Sequence, residues 1–201
     1  MPEDWVGAYP ASAKLPLNAW VADFAQRLQQ LQSLGDDPVA AVCGTAAADG
    51  KQVPLWLGGM SAPAAFLTAT RQHVAQKFGL ALEDLELVVS VGEEGASTGS
   101  ADNSFVVEGL ALEGAGWDAA KGCLAPADAT HTLLAPTRFA WLQHNDVPPV
   151  PAALTRVTVP VYANDARRAL LFTMTLPAPD SVPTAVWQQR AVCCLAWTPR
   201  A

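Results

Sequence analysis

The stretch RVTVPVYANDARRALLFTMTL, Arg156 to Leu176, decides the fold class. Val157, Val159 and Val161 alternate before the loop NDARR, and Leu170, Phe172, Met174 and Leu176 alternate after it. Successive side chains of a strand point to opposite faces, so a period of two marks a sheet with one buried face. The link between the two runs is too short for a helical crossover, so an antiparallel pair is expected.

Working outward, the same period recurs. LELVVSV (Leu85 to Val91), SFVVEGLALEG (Ser104 to Gly114), RFAWLQ (Arg138 to Gln143) and WQQRAVCCLAW (Trp187 to Trp197) read as strands. VPPVPAA, PAPDSVP and the acidic GEEGASTGSADN read as loops. Val53 to Leu57 is a short strand; Pro54 places it at an edge or a strand start, and Gly58-Gly59 breaks it.

Towards the N-terminus the period changes. Leu17, Trp20, Val21, Phe24, Leu28, Leu31 and Leu34 recur at helical spacing and form one apolar stripe. Asp23 and Arg27 can pair one turn apart. Gly35 and Asp36-Asp37-Pro38 end that helix. A second helix has Ser61 as its N-cap and Pro63 in its first turn, and runs to Phe78 and Gly79. Phe66, Leu67, Thr70, Val74 and Phe78 cover one arc of it, with Thr68, Arg71, Gln72 and Gln76 opposite. Arg71, the one full charge from Phe66 to Gln76, is the expected polar anchor of a structural spine. A helical turn at Ala81 to Asp84 leads into the next strand. Helices first and roughly six or seven strands after them give an α+β class: N-terminal helices followed by an antiparallel β-barrel-like domain.

Composition narrows the function. Of 201 residues, 51% are hydrophobic and only 15% charged, against a typical charged share of about 25%. So little polar surface implies a face covered by another protein. The net charge is −7 and the twelve Lys and Arg are scattered, which disfavours nucleic acid, since phosphate contacts need clustered cations. No apolar run reaches the roughly 20 residues of a membrane span, and the acidic start MPEDWVGAYP is unlike a signal peptide. Cys43, Cys123, Cys193 and Cys194 lack zinc spacing and read as buried reduced thiols, the adjacent pair pointing to opposite faces of a strand.

Motifs that suggest chemistry fail on inspection. GTAAADGKQ has one residue too many between its glycines, and Gln52 stands where a phosphate loop needs Ser or Thr. GMSAP resembles a nucleophile elbow around Ser61, but Pro63 replaces the second glycine. His73, His131 and His144 have no metal-ligand partner at suitable spacing. Glu93-Glu94 and Asp36-Asp37 are adjacent acids in loops, and Glu108 and Glu113 would face opposite sides of one strand. No catalytic, cofactor-binding or metal residue is expected. The alternatives are a small hydrolase-like enzyme using Ser61 and His73, or a free-standing barrel binding an apolar ligand.

Six ordered blocks resemble the C-terminal region of dynein heavy chains: LNAWVADFAQRLQQL, LWLGGMSAPAAFLTATRQHVAQ, ALEDLEL, FVVEGLALEGAGWD, VPVYANDARRALLFTM and WQQRAVCCL. TATRQHVAQ and PVYAN are closer to cytoplasmic transport dyneins than to axonemal arms. One departure is Ala191, where the family usually has Gly; a β-carbon there is tolerated in a strand but not where the backbone needs positive φ. The resemblance implies a lead-in from the upstream motor ring at 1–16, a connecting helix at 17–35, and a six-stranded barrel region at 51–198 with the helix 62–78 embedded. It also implies a non-catalytic domain that braces the AAA+ motor ring and tunes processivity and force. ATP and Mg would then belong to the absent ring, and microtubule contact to an absent stalk. Partners would be the ring and other dynein subunits, at a cytoplasmic, cytoskeleton-associated location, with axonemal duty left open.

Overall fold

The computed structural model describes residues 16–43, 52, 54–92, 99–127 and 130–196. Residues 1–15 of the lead-in, the Gly44–Gly50 loop and Glu93-Glu94 lie outside them. The helices are α1 (Leu17–Leu34), α2 (Pro38–Val42), α3 (Pro63–Phe78) and α4 (Thr184–Gln189). The strands are β1 (Leu55–Trp56), β2 (Leu85–Val91), β3 (Ser104–Glu108), β4 (Ala111–Glu113), β5 (Gly116–Asp118) and β6 (Cys123–Ala125). They continue with β7 (Thr132–Leu133), β8 (Thr137–Gln143), β9 (Leu154–Tyr162), β10 (Leu170–Pro179) and β11 (Cys193–Leu195). The class is α+β, with three helices and β1 in the first part, most strands after them, and α4 between β10 and β11.

The sheets depart from one antiparallel barrel. A four-stranded sheet runs β1-β3-β8-β2, a five-stranded sheet runs β10-β9-β11-β4-β7, and β5-β6 form a hairpin. β1 lies parallel to β3, and β11 parallel to β9. Two local causes are visible. SFVVEGLALEG is not one strand: Gly109, at φ 74°, turns the backbone so that β3 and β4 enter different sheets. The second cause lies at the seam between β2 and β10, whose Cα atoms come within 8 Å without a ladder. The β9–β10 register sets Pro160, Pro177 and Pro179 opposite Thr173, Arg156 and Leu154, all in the same alternation class. Proline has no N–H, so these are the non-hydrogen-bonded pairs, and Pro177 and Pro179 turn their backbones towards the seam. That edge is short of donors, and no ladder joins the two sheets there.

The C-terminal segment is a further correction. WQQRAVCCLAW is not a single strand: α4 buries Trp187 and ends in a turn, leaving β11 only three residues. Val192 N–H donates to Trp187 O at 3.1 Å and Ala191 N–H to Gln188 O at 2.9 Å, and Ala191 takes φ 50°. A left-handed residue closing a helix is usually Gly; here it is Ala.

The core joins the sheets through α3. Phe66 meets Phe105 edge-on at 6.0 Å, Phe105 stacks on Phe139 at 5.6 Å, and Phe139 meets Phe172 edge-on at 5.8 Å. This series of rings links α3, β3, β8 and β10, each contact worth about 0.5–1.5 kcal/mol beyond burial. Val157, Val159, Val161, Met174 and Leu176 are buried as the alternation requires, but Leu170 is 55% exposed. The ladder slips between Leu170 and Phe172, which removes Leu170 from the core face. The Gly58-Gly59 pair is explained by close approach. A Cβ on Gly58 would lie 2.2 Å from Ala196 O, and one on Gly59 would lie 2.3 Å from the Trp56 ring.

Candidate functional site

Among the described residues, α1 meets β1 through Gln30 and Arg27. Trp56 N–H donates to Gln30 Oε1 at 2.8 Å, and Gln30 Nε2 donates to Trp56 O at 3.0 Å. The Gln30 amide thus stands in for a neighbouring strand at the free edge of β1. Leu34 is buried beside it. Arg27 lies 5.0 Å over the Trp56 ring and pairs with Asp23 at 2.6 Å, as their spacing predicts. At 3.6 residues per turn, the stripe of Trp20, Val21, Phe24, Leu28 and Leu31 points roughly a quarter turn away from these contacts. Trp20 stacks on Phe24 at 5.8 Å, while Leu28 is 42% and Leu31 56% exposed. Leu28 and Leu31 therefore face away from the domain's own core, while Trp20, Val21 and Phe24 are half-buried.

α3 behaves differently. Phe66, Leu67, Thr70 and Val74 are buried, and only Phe78, at 48%, leaves the predicted arc for solvent. Trp141 Nε1 donates to Thr70 Oγ1 at 3.0 Å, and Thr70 donates onward to Leu67 O at 2.8 Å. Arg71 donates to Leu85 O at 2.9 Å with its guanidinium 5.5 Å from the Trp141 ring, so it is the polar anchor. Ser61 is not the cap: Ala62 holds that position, without a side-chain bond. The first turn needs none for its Pro63, which has no N–H. Leu80 N–H donates to Ala75 O at 2.9 Å and Gly79 takes the left-handed conformation, closing the helix.

The nucleophile candidates do not converge. From Pro63 to His73 the helix advances roughly 15 Å at 1.5 Å per residue, and no hydrogen bond joins Ser61 to His73. His144 lies on the surface 3.3 Å from Glu86. Asp37 caps α2 by accepting from Ala40 N–H at 3.0 Å. Glu108 and Glu113 occupy different sheets rather than one strand. Among the described residues no group of three His, Cys, Asp or Glu side chains is placed to hold a metal ion.

One cluster escapes sequence reasoning. Glu113 on β4 lies 2.7 Å from His131 Nε2 and 2.6 Å from Arg167 Nη2, and accepts from the Cys193 thiol at 3.5 Å. Arg167 also donates to Ala191 O at 3.4 Å. Arg167, at φ 51°, and Ala191 are the non-glycine residues of positive φ among those described. These residues are far apart in sequence, and no local pattern connects them. Burial opposes ionisation of Glu113, but the bonds from Arg167 and Cys193 and the charges of Arg167 and His131 outweigh it and hold its pKa low. Burial pushes the Cys193 thiol up to about 11 and Cys43 up to about 12. The four cysteines are free, buried thiols, which suits packing rather than nucleophilic attack.

Comparison with known proteins decides the family. The family model for the C-terminal domain of the dynein heavy chain matches residues 1–196. The protein belongs to this family of dynein C-terminal domains. It is 34% identical over 197 residues to the cytoplasmic dynein heavy chain of Dictyostelium discoideum, an overlap of 98% of this sequence and 4% of that protein. It is 32% identical over 198 residues to the cytoplasmic heavy chain of Drosophila melanogaster, with the same coverage of 98% and 4%. It is 32% identical over 133 residues to human dynein axonemal heavy chain 2, an overlap of 64% of this sequence and 3% of that protein. This dynein domain therefore spans a small part of the length of its relatives. Among the described residues no helix is long and apolar enough to cross a membrane.

Proposed function

We propose that this dynein domain braces the AAA+ motor ring of its heavy chain and tunes processivity and force during ATP-driven, minus-end-directed movement on microtubules. It performs no catalysis itself; ATP and Mg belong to the ring, and microtubule contact to a stalk elsewhere in the heavy chain. Its location is cytoplasmic and cytoskeleton-associated, and other dynein subunits are reached through the parent polypeptide. The observation that supports this reading is the α1 stripe. Leu28 and Leu31 stay exposed while α1 is fastened to Trp56 along a line a quarter turn away. A stripe of this width on an amphipathic helix requires burial somewhere, and the low share of charged residues points the same way.

The test is Leu28→Asp with Leu31→Asp in the full heavy chain. Run length and stall force on microtubules should fall severalfold while the domain stays folded, because both positions are exposed. Unchanged motility in a folded double variant would overturn the bracing role.

A further inference from the structure

The other flank of α1 has a different chemistry. Gln26, Gln29 and Ser33 recur along it and face Pro54 and Glu108 across a cleft of about 270 Å³. Its floor is the Gln30–Trp56 pair, whose amide is already spent. What remains is rich in acceptors. Pro54 has no N–H to offer. Gln26 Oε1 is shielded from solvent and has no hydrogen-bond partner. Ser33 spends its proton on Gln30 O at 2.7 Å, which leaves its oxygen free to accept. Glu108, exposed at the end of β3, pairs with no Lys, Arg or His among the described residues. Arg27, the single cation of α1, is held by Asp23.

We propose that this cleft receives an arginine side chain from the motor-ring part of the same heavy chain. The proposal rests on the bracing role above and adds a second contact to it. The planar fork of a guanidinium matches a carboxylate in bidentate fashion and has further N–H groups for amide and hydroxyl oxygens; an ammonium lacks that geometry. The charge is complementary, since the cleft carries one carboxylate unpaired among the described residues, on a domain of net charge −7. With the apolar stripe covered on one flank and the cleft filled on the other, α1 becomes a clamped element between the domain and the ring.

The experiment is amide hydrogen exchange on the full heavy chain, read at Trp56 and along α1. Glu108→Lys should speed exchange there at least tenfold, Glu108→Gln should give a smaller increase, and Glu108→Asp should stay within twofold of the parent. If Glu108→Lys leaves protection unchanged while Leu28→Asp with Leu31→Asp removes it, the arginine site is wrong and the bracing role stands. If neither variant matters, both fail. If Glu108→Lys acts and the leucine pair does not, the cleft is the contact and the stripe is not.

Discussion

α1 and α3 are two amphipathic helices of similar length, 18 and 16 residues, with opposite fates. α1 has the more regular apolar stripe, yet leaves Leu28 and Leu31 in solvent. α3 is lined with alanine and threonine, yet buries Phe66, Leu67, Thr70 and Val74 and ties itself down through Arg71 and Trp141. Periodicity shows that a helix has a face to bury. It does not show what covers that face. α3 is covered by its own sheets, and among the described residues α1 is fastened through Gln30, Arg27 and Leu34 at the margin of its stripe.

The comparison breaks most clearly at Phe66. Phe66→Ala opens the series of rings at its first link and should cost about 3–5 kcal/mol in chemical denaturation; a cost below about 1 kcal/mol would make α3 as peripheral as α1. Thr70→Val leaves the buried Trp141 N–H without an acceptor and should cost about 1–3 kcal/mol. Retained stability would mean that α3 is held by packing alone. Ala191→Gly relieves a left-handed alanine at the α4–β11 turn, offset partly by a more flexible unfolded state, and should raise stability by about 0.5–1 kcal/mol. A loss would show that the turn is unstrained.

Acid titration sharpens the contrast between junctions. The folded pKa of Glu113 lies below its ordinary value of 4.5. Its contribution is therefore full above that value and is lost as pH falls through the folded pKa. Glu113→Gln should flatten the acid limb of the pH–stability curve; an unchanged limb would remove Glu113 from the account. The smallest effect belongs to α1: Leu31→Ala in this domain should change stability by less than about 0.5 kcal/mol. A cost approaching that of Phe66→Ala would mean that the stripe already has its partner within the domain.

Much of the fold was legible in local signals. α1 was readable to its last residue from leucine spacing and Gly35, β2 from LELVVSV, and the β9–β10 pair from strict alternation. The failures have specific causes. SFVVEGLALEG alternates well enough to pass for one strand, but Gly109 bends it between sheets. WQQRAVCCLAW is apolar enough for a strand, but Trp187 finds its burial on a helix. The strands β5, β6 and β7 are two or three residues long, below the length at which alternation is detectable. The Glu113 cluster had no sequence signal, because Glu113, His131, Arg167 and Cys193 meet only through long-range folding.

By itself the sequence determined where helices and long strands lie, which faces of them are apolar, and that no recognisable catalytic motif is present, since these follow from period, spacing and local stereochemistry. Only the tertiary structure decided that the strands form separate mixed sheets, that Ala191 adopts a left-handed backbone, and that Leu28 and Leu31 of α1 turn outward. The physical reason is the same in each case: an edge, a turn and a helix face acquire their roles from what packs against them, and those neighbours are distant in the sequence.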